Sequence, residues 1–210
     1  MKKNNILLIG AGGHAEACID VIESQKKYKI IGAIGLEKEV GKLILNKYKV
    51  IGGDKDLFKL SNKIKNAIIV IGQIRSPNLR INYFKKLKKL KFNLPIIKSA
   101  FAVISKYSQI GEGTIIMHRS IIGPNVKIGK NCIINSNSLI EHGSIIGDNT
   151  HVATSVTINS GVKIESNSFI GSNSVVKQNL VIGRNSVVGM GSVILKNCPQ
   201  GSLIKGNEKK

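Results

Sequence analysis

Residues 121–158 read IIGPNVKIGKNCIINSNSLIEHGSIIGDNTHVATSVTI, and an isoleucine or valine recurs in this stretch at every sixth position. The same period continues on both sides, because every sixth residue from Ile104 to Ile194 is Ile or Val. A small or medium side chain follows four residues after most of these aliphatic positions. These second positions are Ser108, Thr114, Ser120, Val126, Cys132, Ser138, Ser144, Thr150, Val156, Val162, Ser168 and Ser174. A sustained period of six indicates a solenoid.

A coil with three flat faces explains this period. One hexapeptide forms each face, about eighteen residues complete a coil, and the next coil stacks one strand spacing away. The aliphatic residue and its small partner both point inward, so the sequence predicts a parallel β-helix with an Ile and Val core. We expect glycines to ease the corners of the coil. These glycines are Gly111, Gly123, Gly129, Gly147, Gly171, Gly183 and Gly189.

The residue between the two inward positions points outward, because side chains alternate along a strand. One outer face is wettable, and it reads Gln109, Lys127, Ile145, Lys163, Val181. The other two read Ile115, Ile133, His151, Phe169, Val187 and Ile121, Leu139, Thr157, Val175, Val193. Two apolar outer faces are too large to leave exposed, so we expect both to be subunit interfaces.

The first half of the chain has an α/β pattern. We expect a strand over 5–9, a glycine turn, a helix over 15–24 and a strand over 29–34. A third buried strand is expected over 67–71. A lysine-rich helix over 79–90 follows, and its apolar stripe is expected to pack in the core. The stripe consists of Leu79, Tyr83, Leu87 and Leu90.

The glycine turn GAGGHA at residues 10–15 allows a phosphate to approach the start of a helix, where free N–H groups favour anions. Three interpretations stay open at this point: nucleotide-sugar binding, a purely structural turn, and dinucleotide binding. The last is the least favoured, because a domain of about 95 residues has no room for a second mononucleotide half.

The composition excludes several classes of function. The formal net charge is +20, but aromatics are only 4% of residues and the arginines are Arg75, Arg80, Arg119 and Arg184 alone, which argues against nucleic-acid binding. Such a charge still favours small polyanions such as CoA or a nucleotide sugar. The three cysteines have no metal-ligand spacing, so neither a metal site nor a disulfide framework is indicated.

No segment approaches the roughly 20 apolar residues that span a bilayer. The chain also starts MKKNN directly before an apolar strand, unlike an export signal. We therefore expect a cytoplasmic protein without membrane insertion.

Four histidines are candidates for proton transfer, the usual task of this residue near neutral pH. His118 is expected to be an idle, solvated side chain. His142 lies at a corner of the coil, and His151 is the one ionisable residue on an apolar outer face. Their separation of nine residues is half a coil, so we expect both to reach one small-molecule site. His14 belongs to the glycine turn.

These features together resemble bacterial sugar acetyltransferases of the hexapeptide-repeat kind. The resemblance lies in the turn at 10–14, the strand end Ile71-Gly72, the stretch IKSA at 97–100, and Ile140-Glu141-His142 with His151. Such enzymes N-acetylate UDP-4-amino-4,6-dideoxy sugars for bacillosamine and legionaminic acid, and related ones O-acetylate sialic acid. The resemblance covers nearly the whole chain.

The resemblance implies a Rossmann-like nucleotide-sugar-binding domain over 1–98 and a left-handed β-helix acyltransferase domain over 99–210. It also implies acetyl-CoA as co-substrate and a homotrimer. It makes His142 the general base. It assigns the UDP-sugar to Gly12, Gly13, His14 and Gly72, and acetyl-CoA to His151, Ser172 and Met190.

The chain departs from these enzymes at positions that bear on substrate identity. Gly143 stands where an acidic residue often follows the catalytic histidine, and Gly35 and Leu36 stand where acidic residues follow the second strand. Glu141 and Glu37 are candidate replacements. A UDP-amino sugar is therefore the first expectation, with O-acetylation of sialic acid or another sugar as the alternative and a non-catalytic β-helix binding protein as a third.

Acetyl transfer also needs a donor for the oxyanion of the tetrahedral intermediate. We expect a backbone amide near Ser160 and Gly161 in this role. A cysteine acyl-enzyme is not expected, because Cys132 occupies an inward position of the repeat.

Overall fold

The computed structural model describes residues 3–206, and the predicted fold class is confirmed: an α/β domain precedes a left-handed parallel β-helix. The first domain contains β1 Asn4–Ile9, α1 Gly13–Ser24, β2 Tyr28–Ile34, β3 Leu43–Ile44, β4 Tyr48–Gly52, α2 Leu57–Ser61, β5 Asn66–Ile69 and α3 Asn78–Lys89. Its sheet has the order β3-β4-β2-β1-β5, with only β3 antiparallel to its neighbour. Within 3–206 no helix is both long and apolar enough to cross a membrane.

The β-helix has three parallel sheets, which we call faces 1, 2 and 3. Face 1 contains Ile97–Lys98, Ile115–Ile116, Ile133–Ile134, His151–Val152, Phe169–Ile170, Val187–Val188 and Leu203–Ile204. Face 2 contains Val103–Ile104, Ile121–Ile122, Leu139–Ile140, Thr157–Ile158, Val175–Val176 and Val193–Ile194. Face 3 contains Gln109–Ile110, Lys127–Ile128, Ile145–Ile146, Lys163–Ile164 and Val181–Ile182. Partner residues on one face are eighteen positions apart, as Ile121 and Leu139 are, so the predicted coil length is confirmed.

The inward positions form the predicted core. The aliphatic residues from Ile116 to Ile194 are all buried. Most of their small partners are buried as well. The hydroxyl groups of the buried serines form hydrogen bonds. Ser138 donates a hydrogen bond to the Ala153 carbonyl and Ser144 to the Asn159 carbonyl, each at 2.9 Å. Hydroxyls paired with the neighbouring coil can occupy an apolar interior at little cost.

The glycines predicted for the corners of the coil do not lie there, and other residues form the corners. A left-handed backbone conformation recurs every six residues at Gly113, Arg119, Asn125, Asn131, Asn137, Gly143, Asn149, Ser155, Gly161, Asn167, Asn173, Asn179, Asn185 and Gly191. The glycines predicted for the corners serve close packing between coils instead. A Cβ added at Gly147, for example, would lie 2.5 Å from the Ser166 amide nitrogen.

The two apolar outer faces are not equally available as subunit interfaces. The start of face 1 is covered within the chain, because Ile115 and Ile133 are fully buried in a cluster with Ile19 and Ile22 of α1. The expectation of an interface there is wrong. Face 2 stays open, with Ile121 at 46%, Val175 at 38% and Val193 at 58% exposure.

The predicted apolar stripe of α3 is only partly buried. Leu87 is fully buried, but Leu79 is 55% exposed, and the neighbouring residue Arg80 points into the protein instead.

The strand Ile97–Lys98 pairs with Ile115–Ile116 on face 1. It lies next to the predicted domain boundary after residue 98, and that boundary stays a prediction.

The two kinds of glycine should respond differently to substitution. Gly147→Ala forces neighbouring coils apart and should destabilise the protein by about 1–3 kcal/mol, the usual cost of overpacking. Gly191→Asn places asparagine at a left-handed corner with open space around the Cβ, and should change stability by less than about 0.5 kcal/mol. Chemical denaturation measures both, and equal losses would contradict the assignment.

Candidate active site

A pair of histidines lies where the two domains meet. His14 is in the first turn of α1, and His151 projects outward from face 1. Their ring centroids are 6.3 Å apart, and the Phe169 ring meets His151 edge-on at 5.2 Å. The residue predicted to hold the sugar therefore lies beside the residue predicted to hold the cofactor.

One hydrogen bond fixes the tautomer of His151. Its Nδ1 lies 2.6 Å from the carbonyl oxygen of Gln73. Because a carbonyl only accepts, Nδ1 carries the proton and Nε2 carries a lone pair. That Nε2 is buried and has no partner among the described residues. His151 is thus prepared to accept a hydrogen bond from an N–H or O–H group of a ligand.

Both histidines of this pair are neutral near pH 7. The pKa of His151 is lowered to about 4, mainly by burial; the Gln73 carbonyl opposes this shift, and the charge of Arg80 contributes to it. Burial also lowers the pKa of His14 to about 4, with additional contributions from His151 and Arg80. A group with so low a pKa is a weak base, so these two side chains suit hydrogen bonding better than proton abstraction.

The predicted substrate glycines surround His14. Gly12 is the N-cap of α1, and both Gly12 and Gly13 have open space where a Cβ would stand. A Cβ at Gly72 would lie 3.6 Å from the Cβ of His14. Gly12 and Gly13 thus leave the start of α1 accessible to an anion.

A groove extends along face 1 beyond the histidine pair. Its volume is about 770 Å³, and its lining includes Phe169, Ser172, Met190, Ile74 and Arg75. Two of the residues predicted to bind the cofactor, Ser172 and Met190, therefore share one cavity, and Phe169 links that cavity to His151. The groove is largely apolar, and Arg75 is the one cation in its lining.

The structure places His142 away from this pair. It is exposed at the corner between faces 2 and 3, across the coil from face 1. Half a coil leads from a face to the opposite corner, so His142 and His151 do not lie side by side in one chain. That they share one site stays a prediction, and it needs a second copy of the chain. Gly161, at the same corner, donates its N–H to the His142 carbonyl at 3.1 Å. It is not free to bind an oxyanion, and only Ser160 stays a prediction in that role.

His118 is not an idle side chain. Its Nδ1 lies 2.6 Å from Ser99 Oγ and its Nε2 lies 2.9 Å from Asp20 Oδ2. Ser99 is only 5% exposed, and its Oγ also accepts the Phe101 N–H. A substrate cannot reach this buried serine, so Asp20, His118 and Ser99 do not form a nucleophilic triad. Their hydrogen bonds instead join α1 to the first coil of the β-helix.

The side chains of Glu37, Glu39 and Cys132 have structural roles and do not belong to the histidine site. Glu37 forms an exposed ion pair with Lys55 at 3.1 Å. Glu39, which sequence reasoning missed, accepts the Leu36 N–H at 2.8 Å at the end of β2. Cys132 is fully buried, and burial raises the pKa of its thiol to about 12, so its predicted inaccessibility is confirmed.

Two family models match the chain. Residues 5–87 match the PglD N-terminal domain, and residues 101–142, 126–160 and 161–196 match the bacterial transferase hexapeptide repeat. No curated protein sequence gives a significant match.

Several solved structures share the fold at low sequence identity. A histidine-to-asparagine variant of perosamine N-acetyltransferase from Caulobacter crescentus, in complex with CoA and GDP-perosamine, has a TM-score of 0.87 at 23% identity, covering 94% of this chain and 91% of that one. The acetyltransferase domain of PglB from Neisseria gonorrhoeae, with acetyl coenzyme A, has a TM-score of 0.85 at 22% identity over 95% of both chains. WeeI from Acinetobacter baumannii has a TM-score of 0.74 at 25% identity, covering 94% and 95%.

Proposed function

We propose that the chain is a hexapeptide-repeat transferase with an N-terminal domain of the PglD type, and that it is an acetyl-CoA-dependent N-acetyltransferase of a UDP-4-amino-4,6-dideoxy sugar. The observation that carries this proposal is the contact between the glycine turn and the groove at His14 and His151. A nucleotide sugar on the first domain and a thioester in the groove would meet there. The similar structures with CoA and GDP-perosamine support the two ligand classes.

Acetyl-CoA is assigned to the groove on face 1. The apolar lining around Phe169 and Met190 suits the pantetheine arm, and Arg75 suits a phosphate of the cofactor. His151 Nε2, as a fixed acceptor, suits an amide N–H of pantetheine. The nucleotide sugar is assigned to the turn at Gly12 and Gly13, where the start of α1 favours the diphosphate.

His142 is assigned the role of general base. The sugar amine is protonated near neutral pH, so it must lose a proton before its nitrogen bonds to the thioester carbonyl carbon. That first proton goes to solvent. His142 accepts a second proton from the nitrogen as the N–C bond forms, the C–S bond breaks as the tetrahedral intermediate collapses, and CoA leaves as a thiol when His142 gives this proton to the sulfur. The buried pair His14 and His151 is too weakly basic for this task, whereas His142 is exposed to an incoming substrate.

Because His142 lies across the coil from its own groove, this mechanism requires His142 from a neighbouring subunit. The exposed apolar face 2 ends at the corner that carries His142. Packing face 2 against a second copy would bury this apolar area and bring His142 near the groove of that copy. In a homotrimer closed by three such contacts, every groove receives a His142 from a neighbour and every face 2 is buried.

O-acetylation of a sialic acid is the second candidate. It is favoured by the glycine at 143 and by the absence of an acidic residue directly at the end of β2, where Gly35 and Leu36 stand. A hydroxyl nucleophile would use the same base and the same groove.

Ligand-induced thermal stabilisation separates the two candidates. We expect a UDP-4-amino sugar to raise the midpoint of unfolding, since a ligand at 100 times its Kd adds about 2.7 kcal/mol of stability. A GDP-linked 4-amino sugar should stabilise less, and CMP-sialic acid and free sialic acid should not stabilise. Stabilisation by the sialic acid compounds alone would overturn the first candidate.

Substitution of the two histidines should affect different kinetic constants. His142→Ala should lower kcat by about 10²- to 10⁴-fold, the usual contribution of a positioned base, without loss of stability because its side chain is exposed. His151→Ala should mainly raise the KM for acetyl-CoA. Near-normal kcat of His142→Ala across pH 6 to 9, or a thioester trapped on Cys132, would rule the mechanism out.

Mixed oligomers test whether neighbouring subunits share a site. The assay keeps acetyl-CoA near the wild-type KM, so that His151→Ala subunits, with their raised KM, turn over slowly and His142→Ala subunits lack the base. Co-refolded in equal amounts, the two variants should regain roughly a quarter of the wild-type rate, because random pairing restores one in four sites of a cyclic assembly. Separately refolded and then mixed variants are the control. No recovery in a mixture that sedimentation shows to be trimeric would mean that each site lies within one chain.

A further inference from the structure

Arg80 is a buried cation without a carboxylate partner among the described residues. It is 1% exposed on α3 and binds four oxygens. Its Nη1 donates to the carbonyls of Ile69 at 3.1 Å and Ile71 at 2.7 Å. Its Nη2 donates to the Asn131 carbonyl at 3.0 Å and to Asn131 Oδ1 at 2.8 Å. One guanidinium thus connects the end of β5 to a corner of the β-helix.

The ionisable groups closest to Arg80 do not neutralise it. Burial raises the pKa of the Cys18 and Cys132 thiols to about 12, so both are uncharged near pH 7. Burial lowers the pKa of Arg80 to about 10, which still leaves it charged. Burying a charge without an ion pair costs free energy, so stability alone is a poor reason for an arginine here.

The oxygens that Arg80 binds lie directly beside the partner of His151. Ile71 precedes Gln73 by two residues, and Gln73 Nε2 donates to the Asn149 carbonyl at 2.9 Å. Asn131 Nδ2 in turn donates to Asn149 Oδ1 at 2.9 Å. The segment 71–73 is therefore fixed at both ends to two successive asparagine corners of the β-helix.

We infer that Arg80 is a positioning residue of the acetyl-transfer site: by fixing segment 71–73 on the β-helix, it keeps the Gln73 carbonyl on Nδ1 of His151 and leaves Nε2 as the acceptor for the bound cofactor. The role of that acceptor in cofactor binding rests on the proposed function. The hydrogen bonds of Arg80 to Ile71 and of Gln73 to His151 do not.

Few charged groups face His151. His14 approaches from α1 and Arg80 from α3, while Gln73 and Phe169 are uncharged. Removal of the arginine frees the Ile71 end of segment 71–73 and so weakens the hydrogen bond between the Gln73 carbonyl and Nδ1 of His151. Its two effects on the pKa of His151 oppose each other, because the Gln73 carbonyl raises this pKa and the positive charge lowers it, so the tautomer is the property to measure.

Histidine side-chain NMR of ¹⁵N-labelled protein tests this inference without any substrate. We expect wild-type His151 to be the Nδ1–H tautomer with a pKa near the value of about 4. In Arg80→Met the two neutral tautomers should mix, because the Gln73 carbonyl is no longer held on Nδ1. Arg80→Lys, whose ammonium group also donates to carbonyl oxygens, should retain the Nδ1–H tautomer, and Arg184→Met, at an exposed corner, should not change it.

Kinetics link the same variants to the proposed function. Loss of one well-placed hydrogen bond corresponds to about a tenfold rise in the KM for acetyl-CoA in Arg80→Met. A folded Arg80→Met in which His151 keeps the Nδ1–H tautomer overturns the inference even if the enzyme is active. A mixed tautomer in a chain with no acetyltransferase activity overturns the proposed function only.

A second variant decides the matter if Arg80→Met does not fold. Asn131→Gly removes the side-chain acceptor of Arg80 at a left-handed corner that glycine adopts readily. A mixed His151 tautomer in this variant supports the inference, and an unchanged tautomer overturns it.

Discussion

The backbone of the β-helix must enter the left-handed region once in every six residues, and the remaining architecture follows from this requirement. Asparagine and glycine occupy most of these corners because they tolerate the conformation best. With a corner so frequent, each strand is only two residues long and presents one outward side chain. A coil therefore offers three outward side chains and three corners, and every surface feature must be built from this small set. On face 1 the first outward side chains, Ile115 and Ile133, pack against α1 of the α/β domain.

The α/β domain ends its contact with face 1 where the candidate site begins. Ile133 is fully buried under α1, His151 on the next coil is buried beside His14, and Phe169 one coil further borders the open groove. The histidine pair thus lies at the edge of the interface between the domains. That position explains its chemistry, because burial removes both rings from solvent and leaves Nε2 of each without a partner among the described residues, one ring away from the groove at Phe169.

Much of this arrangement could be predicted from the sequence, since the core repeats with the coil and the period alone sets the register of the faces. The errors have physical reasons. A period cannot separate glycines needed for left-handed corners, such as Gly191, from glycines needed for close contact between coils, such as Gly147. A spacing of nine residues suggested proximity of two histidines, but in a three-faced coil it leads from a face to the opposite corner. Arg80 carried no local signal, because its acceptors come from β5 and from a coil about fifty residues later, and helical periodicity favoured Leu79.

The roles proposed for the histidines place opposite demands on their surroundings. A fixed acceptor requires a buried ring held by a protein partner, and His151 has both in the Gln73 carbonyl and the covering domain. The same burial lowers its pKa to about 4 and makes it unsuited to accept a proton from an ammonium group. A base therefore needs a different environment from the acceptor, although both must touch one reacting centre. Within one chain the fold provides the buried environment on face 1 and the exposed one at the opposite corner, and only contact with a second copy can bring the two together. On this argument, assembly is a requirement of the chemistry as well as a means of covering face 2.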